Sequence, residues 1–250
     1  MAKPKVAFFD FSCCEGCQLM VLNCEPELLD IVGAIDIVNF REAISDRGED
    51  YDIAFIEGSI ITPHDVERIK KIRAQAKVLV ALGACAHTGG LNKLRNFQDT
   101  EEAKQTVYGK DANAGPFFEV LSKVLSIGEV VKVDLAIPGC PINRFEFISV
   151  VKQVLAGVTP TLPNYPVCVE CKYNENECLM SKGAICLGPI TLAGCDSRCT
   201  NSQWPCTGCR GLVQNPHLEA DQITLIKAGL TVQDILRRYR LFYGYSEVVK

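Results

Sequence analysis

No stretch of this chain is apolar for long enough to cross a bilayer, and neither sign of charge dominates it. A transmembrane helix needs about 20 consecutive apolar residues, and charged side chains break every run here well before that. A net charge of −4 with both signs interspersed excludes the basic face that a nucleic-acid binder turns toward phosphate. The chain has no GxxxxGK loop, and the turn after its first apolar run lacks the Ser/Thr/Gly cradle of a flavin phosphate site. It has no repeat of fixed period and no low-complexity tract. The N-terminal MAKPKVAFFD has neither the apolar core of a secretory signal nor paired arginines, so the expectation is a cytoplasmic protein.

Cysteine, in contrast, is abundant. Fourteen occur among 250 residues, and they are clustered. In a reducing compartment, thiols this dense are expected to hold metal rather than form disulfides, and a disulfide scaffold would be a smaller chain.

The first 160 residues alternate short Val/Ile/Phe-rich runs with amphipathic segments. The runs Val6–Asp10, Ile35–Phe40, Asp52–Glu57, Lys77–Leu82 and Val131–Ile137 predict strands, and the spacing predicts helices over Gln18–Val32, Pro63–Ala76, Pro116–Ser126 and Arg144–Ala156. Strand and helix in alternation imply an open, doubly wound parallel α/β sheet of the flavodoxin-like kind, assigned to residues 1–160. Near Pro160–Pro163 the character changes. Residues 161–250 are expected to form a cysteine-rich, largely irregular domain that ends in a helix over Thr231–Tyr243. Its eight cysteines between Cys168 and Cys209 are separated by Gly and Pro, so side chains alone cannot supply a core and something else must organise it.

Position relative to the strands gives the first candidate site. Cys14 and Cys17 follow the first strand, Cys85 the fourth and Cys140 the fifth. Loops leaving the carboxyl ends of parallel strands share one edge, so these four thiols are expected to converge, and four soft ligands suit zinc or an iron–sulfur cluster. Gly16, Gly83, Gly89, Gly90 and Gly139 would let backbone approach a bulky inorganic group. The later cysteines read C-x2-C-x6-C-x7-C (Cys168, Cys171, Cys178, Cys186) and C-x3-C-x6-C-x2-C (Cys195, Cys199, Cys206, Cys209). Pairing Cys168/Cys171 with Cys206/Cys209 in one zinc ribbon remains open, but it strands four cysteines, whereas two four-cysteine sites use every thiol. Cys13 and Cys24 are left over. Cys24 is expected to be a small buried apolar residue.

With these motifs in view, the chain resembles the small, electron-transferring subunit of cytoplasmic multisubunit [NiFe] hydrogenases. The resemblance runs through Ser12-x2-Glu15-Gly16-Cys17-Gln18, Gly83-Ala84-Cys85 with Gly89-Gly90, and Gly139-Cys140-Pro141. It continues through Cys186-Leu187-Gly188-Pro189-Ile190-Thr191-x2-Gly194-Cys195 and Pro205-Cys206-x-Gly208-Cys209, so it spans residues 5 to about 212. It implies three [4Fe–4S] clusters: proximal on Cys14, Cys17, Cys85 and Cys140; distal on Cys168, Cys171, Cys178 and Cys186; medial on Cys195, Cys199, Cys206 and Cys209. Exported relatives have a His where Cys168 stands, and many have a Pro in place of a fourth medial ligand, a position for which Cys199 is available here.

The resemblance further implies a partner large subunit carrying the Ni–Fe site, a flavin- or iron–sulfur-containing electron acceptor, and no catalytic residue on this chain. Glu15 is a candidate proton relay or a polar loop residue. His87 is a candidate donor to a cluster sulfur or an ordinary loop histidine. His64 and His217 are expected at the surface, and Trp204 is expected to pack over a cluster. Ile142 departs from the family's Gly-Cys-Pro-Pro. The Cys13-Cys14 tandem is also similar to the homologous subunit of respiratory complex I, which ligates through adjacent cysteines but lacks the later cysteine-rich half. A zinc-stabilised interaction module is the remaining alternative.

Overall fold

The computed structural model describes residues 3–112, 115 and 119–246. Five parallel strands lie in the order β2-β1-β3-β4-β5: β1 Lys5–Asp10, β2 Asp36–Asn39, β3 Ile53–Glu57, β4 Val78–Leu82 and β5 Leu135–Ile137. This is the flavodoxin-like order, in which the chain reverses its direction of travel across the sheet beside β1. Near-continuous apolar sequence is what a sheet covered on both faces requires. Val6, Phe8, Ile53 and Phe55 enter one core, where Phe8 stacks on Phe40 at 4.3 Å and on Phe55 at 4.9 Å between ring centroids. Ala7, Phe9, Ala54 and Ile56 enter the other.

Helices α1 Gly16–Leu22, α2 Pro26–Ala34 and α6 Arg144–Leu155 supply Val21, Ile31 and Phe147 to the first core. Helix α3 Pro63–Gln75 supplies Ile69 and Ile72 to the second. A capping box of Thr62 and Asp65, with Pro63 at the first helical position, starts α3. Helices α4 Gly83–Thr88 and α5 Thr100–Tyr108 lie between β4 and β5.

Three expectations need correction. The segment Gln18–Val32 is two helices, because the residue before Pro26 is barred from helical geometry and Glu25 takes φ 41°. Of the helix expected over Pro116–Ser126, residues 116–118 lie outside the described residues. Residues 119–126 are not helical, and Leu125 bridges to Ile60. The helix of this connection is α5, upstream, capped by Asp99. The strand expected from Val131 starts only at Leu135, after a 3-10 turn at Ile127–Glu129.

The later half is less irregular than its composition suggests. Helix α7 Val167–Tyr173 and the short α8 Arg198–Asn201 carry cysteines, and α9 Leu218–Lys227 precedes α10 Val232–Tyr243. Ile235, Tyr239, Phe242 and Tyr243 of α10 pack with Leu187, Ile190 and Ala84, which joins the C-terminal helix to both the cysteine-rich segment and α4. Among the described residues no helix is long and apolar enough to cross a membrane.

Candidate functional site

The first cysteine group forms where the carboxyl ends of β1, β4 and β5 meet. Cys14 lies in the β1–α1 turn and Cys17 in the first turn of α1; Cys85 is on α4 and Cys140 follows β5. Their sulfurs sense one another: the charges of Cys140 and Cys14 both act on Cys85, Cys14 acts on Cys140, and Cys140 acts on Cys17. Burial, and then these neighbouring charges, push the Cys85 thiol up to about 12, and the Cys17 thiol is driven higher still by burial and by Glu57. The backbone is shaped around the sulfurs. Gly83 takes φ +81° directly after β4, and a Cβ there would collide with Cys17 Sγ.

Glu57, at the end of β3, is a site residue that sequence reasoning overlooked. It is 2% exposed, and its two carboxylate oxygens accept the amides of Cys17 (3.1 Å) and Gln18 (3.0 Å), which pins the N-terminus of α1. Burial raises its pKa and the amides oppose that rise. The available signal was a glutamate closing an otherwise apolar buried strand, IAFIE. Ile142 is fully buried, and its amide donates to Cys17 Sγ, a bond that a proline at this position could not make.

In the second group, burial pushes the Cys168 thiol up to about 12, and the charges of Cys186, Cys171 and Cys178 all add to that rise. The third group is similar: Cys209, also raised to about 12 by burial, senses Cys195 and Cys199, and Cys206 senses Cys209. The groups abut one another. The Cys206 amide donates to Cys186 Sγ at 3.3 Å, and the Cys140 amide donates to Cys209 Sγ.

The donor set fits an iron–sulfur centre. Every ligand candidate is a thiol, and amides of Ile142, Gly188, Arg198 and Gly208 point at sulfurs, as cluster ligands require. Partly buried thiols held above their ordinary pKa need a cationic centre if they are to ionise together. Among the described residues no three Cys, His, Asp or Glu side chains are close enough to hold a single metal ion.

Cys24 is fully buried in the sheet core, as expected. Cys13 is half-buried and within charge reach of Cys85. Glu15, in left-handed backbone at φ 61°, pairs with Arg41. His87 has its pKa lowered by desolvation and then by Arg210. His64 and His217 are exposed. Trp204 is 70% exposed, and its backbone amide donates to Cys199 O.

A doubly wound sheet that gathers cysteines at its carboxyl edge and continues into a cysteine-rich extension defines a class of redox subunits, and likeness to known proteins narrows the class. Residues 14–154 match the family model described as NADH ubiquinone oxidoreductase, 20 Kd subunit. The chain is 35% identical to the sulfhydrogenase 2 subunit delta of Pyrococcus furiosus, covering 95% of this chain and 98% of that one. It is 26% identical to the iron-sulfur subunit of the F420-non-reducing hydrogenase of Archaeoglobus profundus, covering 83% and 82%. A chain of an NAD+-reducing [NiFe]-hydrogenase solved in the H2-reduced state is 28% identical, with a TM-score of 0.58 over 65% of this chain and 96% of that one. The chain belongs to this family, as a small subunit of a [NiFe] hydrogenase complex.

Proposed function

We propose that this subunit relays electrons between the Ni–Fe site of a large subunit and a further flavin- or iron–sulfur-containing subunit, in the cytoplasm, through three [4Fe–4S] clusters. Cys14, Cys17, Cys85 and Cys140 would hold the proximal cluster; Cys195, Cys199, Cys206 and Cys209 the medial; and Cys168, Cys171, Cys178 and Cys186 the distal. The division of labour would fall near residue 160, with the sheet holding the proximal site and the remainder the other two. What supports this reading is that Cys85 and Cys17 interact with Cys140 and Cys85 also with Cys14, that Cys168 interacts with Cys171, Cys178 and Cys186, and that Cys209 interacts with Cys195, Cys199 and Cys206, while Cys13 also reaches Cys85 and Cys206 also reaches Cys186.

Bound there, such clusters supply one-electron carriers at fixed spacing. The chain's own residues do the holding. Glu57 fixes the α1 terminus beneath the first site, and backbone amides direct N–H groups at Cys17, Cys186, Cys195, Cys206 and Cys209. Burial keeps water from Cys17, Cys171, Cys186 and Cys206, and hydrogen bonding and exclusion of water are what set such potentials.

The test is anaerobic purification of the complex with metal and sulfide analysis and an H2-uptake assay. Three four-iron clusters require about twelve irons and about twelve sulfides per chain. Zinc without sulfide would overturn the reading. The family description also supports a second reading, a complex I-type subunit, which a cluster-loaded complex without H2 uptake would favour.

A further inference from the structure

Arg210 is the largest fully buried side chain among the described residues, and it follows Cys209 directly. All of its donor nitrogens are engaged. Nε donates to the carbonyls of Leu192 (3.2 Å) and Ala193 (2.7 Å). One terminal nitrogen donates to Pro138 O (2.6 Å) and Glu146 Oε2 (2.9 Å), and the other to Glu146 Oε1 (2.7 Å). Pro138 lies two residues before Cys140, Ala193 two before Cys195, and Glu146 in the first turn of α6 after Cys140. One guanidinium thus ties the first cysteine group to the third. The pair packs onto Gly194, whose φ of +116° and lack of Cβ are both required, since a methyl group there would strike Arg210 and Glu146.

A charge of the opposite sign also reaches the third group, at the same turn. Glu170 lies between Cys168 and Cys171 on α7. Its Oε1 accepts the Gly194 amide (2.7 Å), and its Oε2 accepts the Ser197 amide (2.9 Å) and lies 3.8 Å from Cys195 Sγ. Cys195 is therefore gripped on both flanks by a carboxylate that belongs to the second group's helix.

A buried ion pair does not stabilise a fold more than well-packed apolar residues would. Arg210–Glu146 is nevertheless the one ion pair among the described residues with both side chains under a tenth exposed. Adding an electron to a centre on Cys195 adds negative charge, which a nearby cation favours and a nearby anion opposes. Resting on the three-cluster reading, we propose that Arg210 and Glu170 are opposed potential-setting residues. Arg210 raises and Glu170 lowers the reduction potential of the centre held by Cys195, Cys199, Cys206 and Cys209, and their hydrogen bonds fix that centre between the other two. Glu146 holds Arg210 in place. Both are positioning residues rather than catalytic ones.

The test is redox titration, followed by electron paramagnetic resonance, of the purified hydrogenase complex carrying Arg210→Gln, Arg210→Lys or Glu170→Gln. The expected result is a shift to lower potential for Arg210→Gln and to higher potential for Glu170→Gln, in the same centre, with Arg210→Lys returning toward wild type. A purely structural role predicts loss or broadening of the signal without opposite signs. If Arg210→Gln does not assemble, Glu170→Gln decides: an upward shift supports the proposal and an unmoved potential overturns it. A wild-type complex with no third reducible centre would overturn the three-cluster reading and this inference together. A third centre that is present but unmoved in the variants would overturn the inference alone.

Discussion

Among single residues the sharpest question concerns three thiols in five positions, Cys13, Cys14 and Cys17. Cys17 is buried, receives the Ile142 amide on its sulfur, and has its own amide held by Glu57. Cys13 is half-buried, feels Cys85, and is pushed up to about 12, first by burial and then by Glu57. Both therefore border the same space, and the scaffolding around Cys17 favours it as the ligand. We expect Cys17→Ser to abolish the paramagnetic signal of the first centre and Cys13→Ser to leave it in place. The reverse pattern would transfer ligation to the Cys13-Cys14 tandem and bring the site closer to the complex I arrangement.

Among the strands and helices, short polar devices decide where each one stops. Asp134 is one. It precedes β5, accepts the Leu79 amide of β4 at 2.9 Å and pairs with Arg73 in the last turn of α3, so one carboxylate joins three elements. Burial disfavours its charge, but the Leu79 amide and Arg73 outweigh that and hold its carboxyl below the usual range. Asp134→Ala leaves the buried Leu79 amide unpaired, at a cost of about 1–3 kcal/mol. The sign of the pH dependence follows from the lowered folded pKa. The stabilisation is complete above the unfolded value of about 3.9 and is lost as pH falls through the folded value. Urea denaturation should therefore separate wild type from Asp134→Ala at neutral pH, and the two curves should converge in acid. A difference that persists unchanged below about pH 3 would remove the carboxylate from the account.

Across the molecule, the two faces of the sheet carry large apolar cores, whereas the core beneath the second and third cysteine groups is small. Its buried residues are Val167, Cys186 and Cys206, and two of those three are proposed ligands. The sheet has the buried apolar area to stand without an inorganic centre, whereas the segment from Val167 to Cys209 buries few apolar side chains besides its thiols, and of those Leu187 and Ile190 lean on α10. Stripping the protein with an iron chelator should therefore remove amide hydrogen-exchange protection across residues 165–212, while β1, β3 and β4 stay protected. Uniform loss of protection would show that the clusters support the sheet as well, and unchanged protection would show that side chains alone hold the extension.

The same contrast between sheet and extension explains what could be read along the chain. Strands β1, β3 and β4 were legible to within a residue, because burial on both faces writes an unbroken apolar run. Helix α5 was not, since it buries no residue and so carries no apolar periodicity. The grouping of cysteines was legible from their place after strands and from C-x2-C spacing, which are local properties of the chain.

Glu57 left a faint trace, as the glutamate that closes an apolar strand, but Glu146, Glu170 and Arg210 were invisible as site residues. A charged side chain in a sequence looks like solvated surface until the fold encloses it, and their partners lie 17 to 72 residues away. The alternation that folds into a parallel sheet, and the supply of thiols at one of its edges, are already present in the order of the amino acids, because periodicity and spacing are one-dimensional properties. Which thiols share a space, and which charges stand between those spaces, is settled by folding, because desolvation and Coulomb interaction depend on distances that exist only once the chain has closed on itself.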